Sequence, residues 1–334
     1  MRRNVLITAC GAKVALVRAF RRAATARGLR TLAADVVADA VALREADAAL
    51  RLPRWSDPGY GEALVAACTE HAVGLLVPTA DAEMPWLLPV VERLSAVGTT
   101  VLLPSARTLS ICRDKRALVE FCRAHGFAVP ETFDADWVPT GFPVFARPAQ
   151  GQGGMGAGRV DTPALLAALR EIHPDLLVQA YVDEPEYSVD LLMDLEGRPL
   201  QAVARRRVAV RGGEAIVCRV ERVDALTDAV MRLGEVLGLV GHNVVQAFWS
   251  PESGPRIIEI NPRFGGASNL AIEAGLDSPA RLLDLLAGDP AVRTPRAIRH
   301  GLTLLRYGED RFVSEDDIED IFVAAEPLAR GSEP

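Results

Sequence analysis

The chain lacks a cysteine framework. Its five cysteines, Cys10, Cys68, Cys112, Cys122 and Cys218, are odd in number, scattered and without a CxxC spacing. That pattern argues against disulfides and a zinc site and favours a reducing compartment. No run approaches 18 apolar residues, so no membrane-spanning helix is expected. Met1-Arg2-Arg3 precedes an apolar stretch that Lys13 soon interrupts, too short a stretch for a signal peptide. A cytoplasmic protein without a membrane partner is expected. Basic charge is not in excess either: 37 Lys and Arg face 44 Asp and Glu, for a net charge of −7. Nothing general therefore draws the chain to nucleic acid, and an anionic ligand would need a local basic pocket. No Ser/His/Asp or Cys/His arrangement suggests a side-chain nucleophile. His71, His125, His173 and His300 read as packing or surface residues; His242 stands apart because it lies beside the strand of Gln246.

What is present is ample material for cores. The 334 residues are 49% hydrophobic and 24% charged, which implies two or three subdomains. Residues 1–108 alternate short β-type runs (Val5–Ala9, Leu29–Ala34, Val73–Val77, Thr100–Leu103) with helical ones (Val14–Arg27, Glu62–Ala72, Trp86–Val97). This spacing predicts βαβ units and a Rossmann-like parallel sheet. A second module, residues 109–310, opens with Asp114 as the cap of a helix over Lys115–His125 that stops at Gly126. From Pro130 onward, short strands and glycine turns predict an α+β arrangement, with a small lobe over about 130–185 and a larger one over about 186–310. Residues 311–334 form a less patterned tail.

The segment Ile257-Ile258-Glu259-Ile260-Asn261-Pro262-Arg263 reads as a strand with polar groups at every second position. Alternation puts Glu259, Asn261 and Arg263 on one face and Ile258 and Ile260 on the other. Two oxygen donors suit a hard cation such as Mg2+, and an arginine just beyond them suits the phosphate it would hold. The bland alternative is an amphipathic strand with a solvated polar face. Gln150–Gly158 carries five glycines in nine residues. It contains GxGxxG at Gly151, Gly153 and Gly156, but Arg159–Thr162 continues as a strand and breaks at Pro163, whereas a dinucleotide fingerprint opens a helix. It reads instead as a glycine hairpin able to fold over phosphates, or as a mobile turn. Thr8–Lys13 with Asp35 is a rival nucleotide site, and Pro78–Glu83 lies where a parallel strand ends. Along Arg205–Arg211, Arg205 and Arg207 share a face and Arg206 opposes them; any of the three could meet an anion or mark a charged edge strand.

Taken in order, these segments resemble the ATP-grasp superfamily, in its carbamoyl-phosphate-synthase-large-subunit-like and PylC-like branch of single-copy ligases. The resemblance covers about residues 1–310, and its most specific part is the Glu-x-Asn-Pro-Arg strand. It implies a Rossmann-like pre-ATP-grasp domain followed by a two-lobed ATP-grasp module. It implies that Lys115 and Arg147 contact ATP phosphates under a loop of Gly151, Gly153, Gly154 and Met155. Gln179, Ala180, Tyr181 and Val182 would form the adenine hinge, and Glu186 would hold ribose. Gln246, Glu259 and Asn261 would hold Mg2+, with Mn2+ as a substitute. Arg263, Arg206 and Arg147 would act on the transferred phosphoryl group. The implied reaction joins a carboxylate to an amine through an acyl phosphate, releasing ADP and phosphate. The substrates would be small molecules, with amino acids among the candidates; the oligomeric state is left open, a homodimer being one alternative. Alternatives are a carbamoyl-phosphate-like kinase acting on another carboxylate, a nucleotide-binding oxidoreductase using the N-terminal sheet, and a non-catalytic ATP-binding module.

Overall fold

The computed structural model describes residues 3–134, 137, 139–151, 156–319 and 321–322. They fall into two units, one reaching Leu102 and resuming at Glu309, the other spanning Leu103–Gly308. In the first, β1 (Asn4–Thr8), β2 (Thr31–Asp35), β3 (Ala48–Arg51), β4 (Val73–Pro78) and β5 (Thr100–Val101) form a sheet ordered β3-β2-β1-β4-β5. Every pairing is parallel. β4 is buried along its whole length, as a parallel strand covered on both faces must be. The helices of this unit are α1 (Val14–Thr25), α2 (Tyr60–Glu70), α3 (Met84–Leu87) and α4 (Val91–Ala96). α1 buries Leu16, Val17, Phe20, Ala23 and Ala24, one stripe at helical spacing. The single helix expected over Trp86–Val97 is instead divided between α3 and α4 by a 3-10 turn at Leu88–Val90. Pro89 sits in that turn and cannot donate an intrahelical hydrogen bond.

In the second unit, α5 (Ala106–Arg113) starts at Ser105, whose Oγ accepts the Thr108 N–H at 3.1 Å. α6 (Lys115–Ala124) starts at Asp114, whose Oδ1 accepts the Arg116 and Ala117 N–H groups at 2.8 and 3.2 Å. Each such cap is worth about 1 kcal/mol; the Asp114 cap was expected, the Ser105 cap was not. Strands β6 (Thr132–Phe133), β7 (Val144–Pro148), β8 (Gly158–Val160) and β9 (Leu176–Ala180) make an antiparallel sheet ordered β6-β9-β7-β8. It packs Val144, Ala146, Val160 and Val178 against Leu166 of α7 (Pro163–Ile172). The expected break at Pro163 is in fact a helix start. Thr162 Oγ1 accepts the Leu165 N–H at 3.3 Å, and proline fits the first helical position because no N–H is needed there.

The larger sheet contains β10 (Glu186–Met193), β11 (Pro199–Arg211), β12 (Glu214–Val220), β13 (His242–Ser250), β14 (Gly254–Asn261) and β15 (Thr303–Leu305), in the order β14-β13-β10-β11-β12-β15. One face is apolar: Tyr187, Val189, Leu191, Val245, Ala247, Ile257 and Ile260 join a core with Leu226, Val230 and Leu233 of α8 (Asp224–Leu237) and Leu118 of α6. Gly234 permits this approach, since a Cβ there would lie 2.5 Å from Leu191 Cδ2. The opposite face carries Glu259, Gln246, Ser188 and Arg205 in register across four strands.

The strict alternation expected for β14 fails at one point. Glu259 pairs with Gln246 while Ile257 pairs with Ala247, leaving Ile258 as a bulge residue. Ile257 and Ile260 enter the core, whereas Ile258 joins Glu259 on a cavity wall. Two residues opposing one is the geometry that turns neighbours to a common side. α9 (Ser268–Ala271) and α10 (Ser278–Leu286) follow. Residues after Gly308 belong with the first unit: α11 (Glu315–Glu319) lies there, Phe322 bridges to Ala49, and Arg311 pairs with Glu45.

Candidate active site

On the polar face of the larger sheet lie two cavities of about 460 Å³ each. Arg207, Gly213, Gln246 and Glu259 line both, so two of the three residues expected to hold metal stand where the two volumes meet, while Asn261 lines only one of them.

The first cavity brings together Lys115, Arg147, Gly151, Gln179, Ala180, Tyr181, Val182 and Glu186 with an apolar wall of Phe145, Phe248 and Ile258. Lys115 Nζ donates to the Gly151 carbonyl at 3.1 Å. Burial pulls its ammonium below the ordinary lysine range, with Glu259 pulling the other way. Arg147 donates through an NH2 group to the Ile258 carbonyl at 3.1 Å, while its Nε is a buried donor with no hydrogen bond. Burial lowers this guanidinium too, against Glu259 and Glu186. An unsatisfied charged donor on a cavity wall fits an anionic ligand. Gln179 Nε2 donates to Thr132 Oγ1 at 2.9 Å, fixing the start of the hinge. Glu186 lies 3.1 Å from Arg207 Nε, and burial raises its carboxyl above the usual range despite that arginine. Gly153, Gly154 and Met155 lie outside the described residues.

The second cavity is lined by Asn261, Arg263, Gly265, Gly266, Glu214 and Arg306, among others. Asn261 Nδ2 donates to Glu259 Oε1 at 3.1 Å, and Arg263 donates to Asn261 Oδ1 at 3.1 Å, so the three form one bonded line. Arg306 reaches both Glu214 and the Gly266 carbonyl. Neither Arg306 nor Glu214 was anticipated from sequence, and no local motif marks them. Among the described residues no group of three His, Cys, Asp or Glu side chains could hold a metal. The mixed set of Gln246, Glu259 and Asn261 offers one carboxylate and two carboxamides, oxygen donors that fit a hard divalent cation.

Arg206 lines neither cavity, and its expected role at the phosphoryl group is not supported by its position. It pairs in register with Tyr187, a core residue, and its exposed guanidinium reaches Glu221 at 4.0 Å. Arg205 and Arg207 take the cavity face. Arg205 is buried and bonded to buried Asp190. Burial works against its charge, but Asp190 outweighs this and raises its pKa. Burial likewise pushes Asp190 upward, yet Arg205 and His242 hold its carboxyl below the usual range. His242 is buried in the same network: Nε2 lies 3.1 Å from Asp190 Oδ1 and 3.2 Å from Ser268 Oγ, and Nδ1 lies 2.8 Å from Ser278 Oγ. Its ring stacks on Phe264 at 3.9 Å. Ser268 Oγ in turn accepts the Gly265 N–H at 2.9 Å, so the network anchors the loop that follows Arg263.

The first unit has its own smaller cavity of about 190 Å³, lined by Thr8, Asp35, Trp55, Tyr60 and Glu83 among others. Asp35 accepts the Gly11 N–H at 2.9 Å and the Val36 N–H at 2.7 Å. A carboxylate thus occupies the turn N–H that a dinucleotide phosphate would need.

Residues 172–307 match the family model described as "ATP-grasp in the biosynthetic pathway with Ter operon", and residues 5–102 match the model of the PylC-like N-terminal domain. Mitochondrial acetyl-CoA carboxylase of Saccharomyces cerevisiae is 26% identical over 166 residues, or 45% of this chain but 7% of that protein's length. The biotin carboxylase domain of Hydrogenobacter thermophilus 2-oxoglutarate carboxylase, solved with MgADP, ADP and bicarbonate, superposes with a TM-score of 0.69 at 17% identity, over 90% of this chain and 73% of that one. L-amino acid ligase from Bacillus licheniformis superposes with a TM-score of 0.67 at 18% identity, over 90% and 78%. Such identities carry the fold alone. The chain thus matches an ATP-grasp model over residues 172–307 and a PylC-like N-terminal domain model over residues 5–102, on a fold shared with these structures.

Proposed function

We propose that this protein is an ATP-dependent ligase that joins a small carboxylate to an amine through an acyl phosphate, releasing ADP and phosphate. The observation that carries the proposal is the pair of cavities meeting at Gln246, Glu259 and Arg207. Phosphoryl transfer needs a nucleotide on one side, an acceptor on the other and cationic groups between them. In this reading the first cavity takes ATP. Phe248 and Ile258 flank the base, the Gln179–Val182 hinge offers backbone groups, and Glu186 lies within reach of ribose. Lys115 and the unsatisfied Arg147 Nε neutralise phosphate oxygens. Mg2+, when bound by Gln246, Glu259 and Asn261, would supply Lewis-acid polarisation of those oxygens.

The acceptor carboxylate lies in the second cavity. Arg263, aligned through Asn261 with Glu259, stabilises the charge that develops on the transferred group. Arg207 replaces Arg206 as the arginine of β11 in contact with it. A carboxylate is a poor electrophile; once it is phosphorylated, an amine displaces phosphate without any side-chain nucleophile. The likeness to biotin carboxylase structures supports a second reading, in which the carboxylate is bicarbonate.

The test is ADP release by the full chain with Mg2+–ATP and panels of amino acids, with hydroxylamine present to trap acyl phosphate. Carboxylate-dependent ADP release with the matching hydroxamate supports the ligase. Bicarbonate-dependent release without a hydroxamate selects the second reading. ATP binding without turnover under any acid and amine pair, bicarbonate included, overturns both and leaves a binding module.

A further inference from the structure

The small cavity of the first unit sits at the carboxyl ends of β1 and β2, beside the segment that follows β4. The strand order reverses between β1 and β4, and ligands of open parallel sheets gather at such a point. Glu83 is 1% exposed and lines the cavity. Its Oε1 accepts the Tyr60 O–H at 2.5 Å, but its Oε2 is buried without a hydrogen-bond partner, as is the neighbouring Thr8 Oγ1. Leaving such a group unpaired is destabilising, and Asp35 adds a second acidic side chain to the same cavity. Burial above all, and then Asp35, pushes the Glu83 carboxyl above its ordinary range, against the nearby hydroxyls of Thr8 and Tyr60. Lys13, the cation that opposes this shift, donates to the Thr79 carbonyl at 2.6 Å. The remaining walls are apolar or aromatic: Leu52, Pro53, Val36 and Trp55. Asp35 and Trp55 are half-exposed at the rim, while Thr8 and Glu83 form a buried floor.

We propose that this cavity binds a small aliphatic primary ammonium ion, with its charge on Glu83 Oε2 and Thr8 Oγ1 and its chain against Leu52 and Trp55. A volume of about 190 Å³ is some six times the roughly 30 Å³ that a water molecule occupies in the liquid. It suits a few carbons and a head group and is too small for a nucleotide. Acidic groups on its floor and rim disfavour an anion, and a neutral alcohol brings no charge to offset an ionised Glu83. The site stands on the first unit alone and does not depend on the ligase reading.

The experiment follows the Trp55 indole N–H resonance of the full chain, assigned with Trp55→Phe. The chain is titrated with n-propylammonium chloride and, at equal ionic strength, with n-propanol and propionate. The expected result is a saturable shift with n-propylammonium only. Its affinity should rise with pH, because Glu83 must give up its proton to hold the cation while Tyr60 keeps its bond. Glu83→Gln, which preserves the acceptor for Tyr60, should weaken binding at least tenfold and leave the thermal shift given by a Mg2+–ATP analogue unchanged. Loss of that thermal shift in the wild type would count against the ATP site and not against this one. An equal response to n-propanol, no saturable response to the cation, or unchanged affinity in Glu83→Gln overturns the proposal. If Glu83→Gln does not fold, the wild-type comparison of cation with alcohol and its pH dependence decide.

Discussion

Asp190→Asn isolates the buried charge network beneath the second cavity. Asp190 is 0% exposed, and Arg205 and His242 are 2% exposed; Asp190 bonds both. Asparagine keeps the volume but strands the Arg205 guanidinium in a site sealed from water. Breaking a buried pair from one side costs about 3–5 kcal/mol. For a unit of this size each kcal/mol is worth about 2–4 °C, so melting should fall by roughly 6–20 °C at neutral pH. The double substitution Asp190→Leu with Arg205→Met strands no charge and should recover most of the loss. Urea unfolding at a series of pH values gives the sign. The Asp190 carboxyl is held below its ordinary value of 3.8. Its contribution is therefore complete above that value and is lost as pH falls through the native one, where wild type and Asp190→Asn should converge. The reasoning fails if Asp190→Asn stays within about 1 kcal/mol of wild type, or if the double variant is as unstable as the single one.

Three further outcomes are expected. Glu259→Gln and Arg263→Ala should each lower ADP release by about 10²-fold or more, the scale of losing one group that stabilises developing charge, with melting unchanged, whereas Arg206→Ala should leave ADP release near wild type. Burial raises the Glu83 carboxyl above 4.5, so between that value and the native pKa the folded state holds a proton that the unfolded state has lost. Wild-type stability, measured by urea midpoints, should therefore decline with rising pH across that window relative to Glu83→Gln. Gly275→Ala should cost at least about 2 kcal/mol in urea unfolding, because Gly275 has φ +121° and an added Cβ would lie 2.4 Å from the Ala297 carbonyl oxygen.

Much of this architecture can be read from the chain because local signals agree with the tertiary structure. Asp114 caps α6 as its position implies, and the alternation of strand and helix before Leu102 yields a parallel sheet. The pairing of Arg205 with Arg207 on one face is also legible. Which face meets the cavity is not, since that depends on α8 covering the other side. Pro163 reads as a strand break because it lacks an N–H, yet the same lack suits the first position of a helix, and the Thr162 hydroxyl on the Leu165 N–H marks that start. Arg306, just after β15, and Glu214, at the start of β12, converge through tertiary packing, and no spacing announces them. His242 is singled out by its place near Gln246, but its network is not legible because its partners Asp190, Ser268 and Ser278 lie 52, 26 and 36 residues away.

The bulge at Ile258 makes β14 one residue longer than its pairing with β13 requires. Glu259 already faces Gln246, and Ile257 already faces Ala247, so a homologous strand lacking the surplus residue would keep its polar and apolar sides in phase. What it would lose is the side chain that walls the first cavity and the carbonyl that restrains Arg147. On the proposed reading, nucleobase fit and the phosphoryl-facing ladder are thus separable by a single codon. A lineage could retune one through insertion or deletion at this position while the other stays in register.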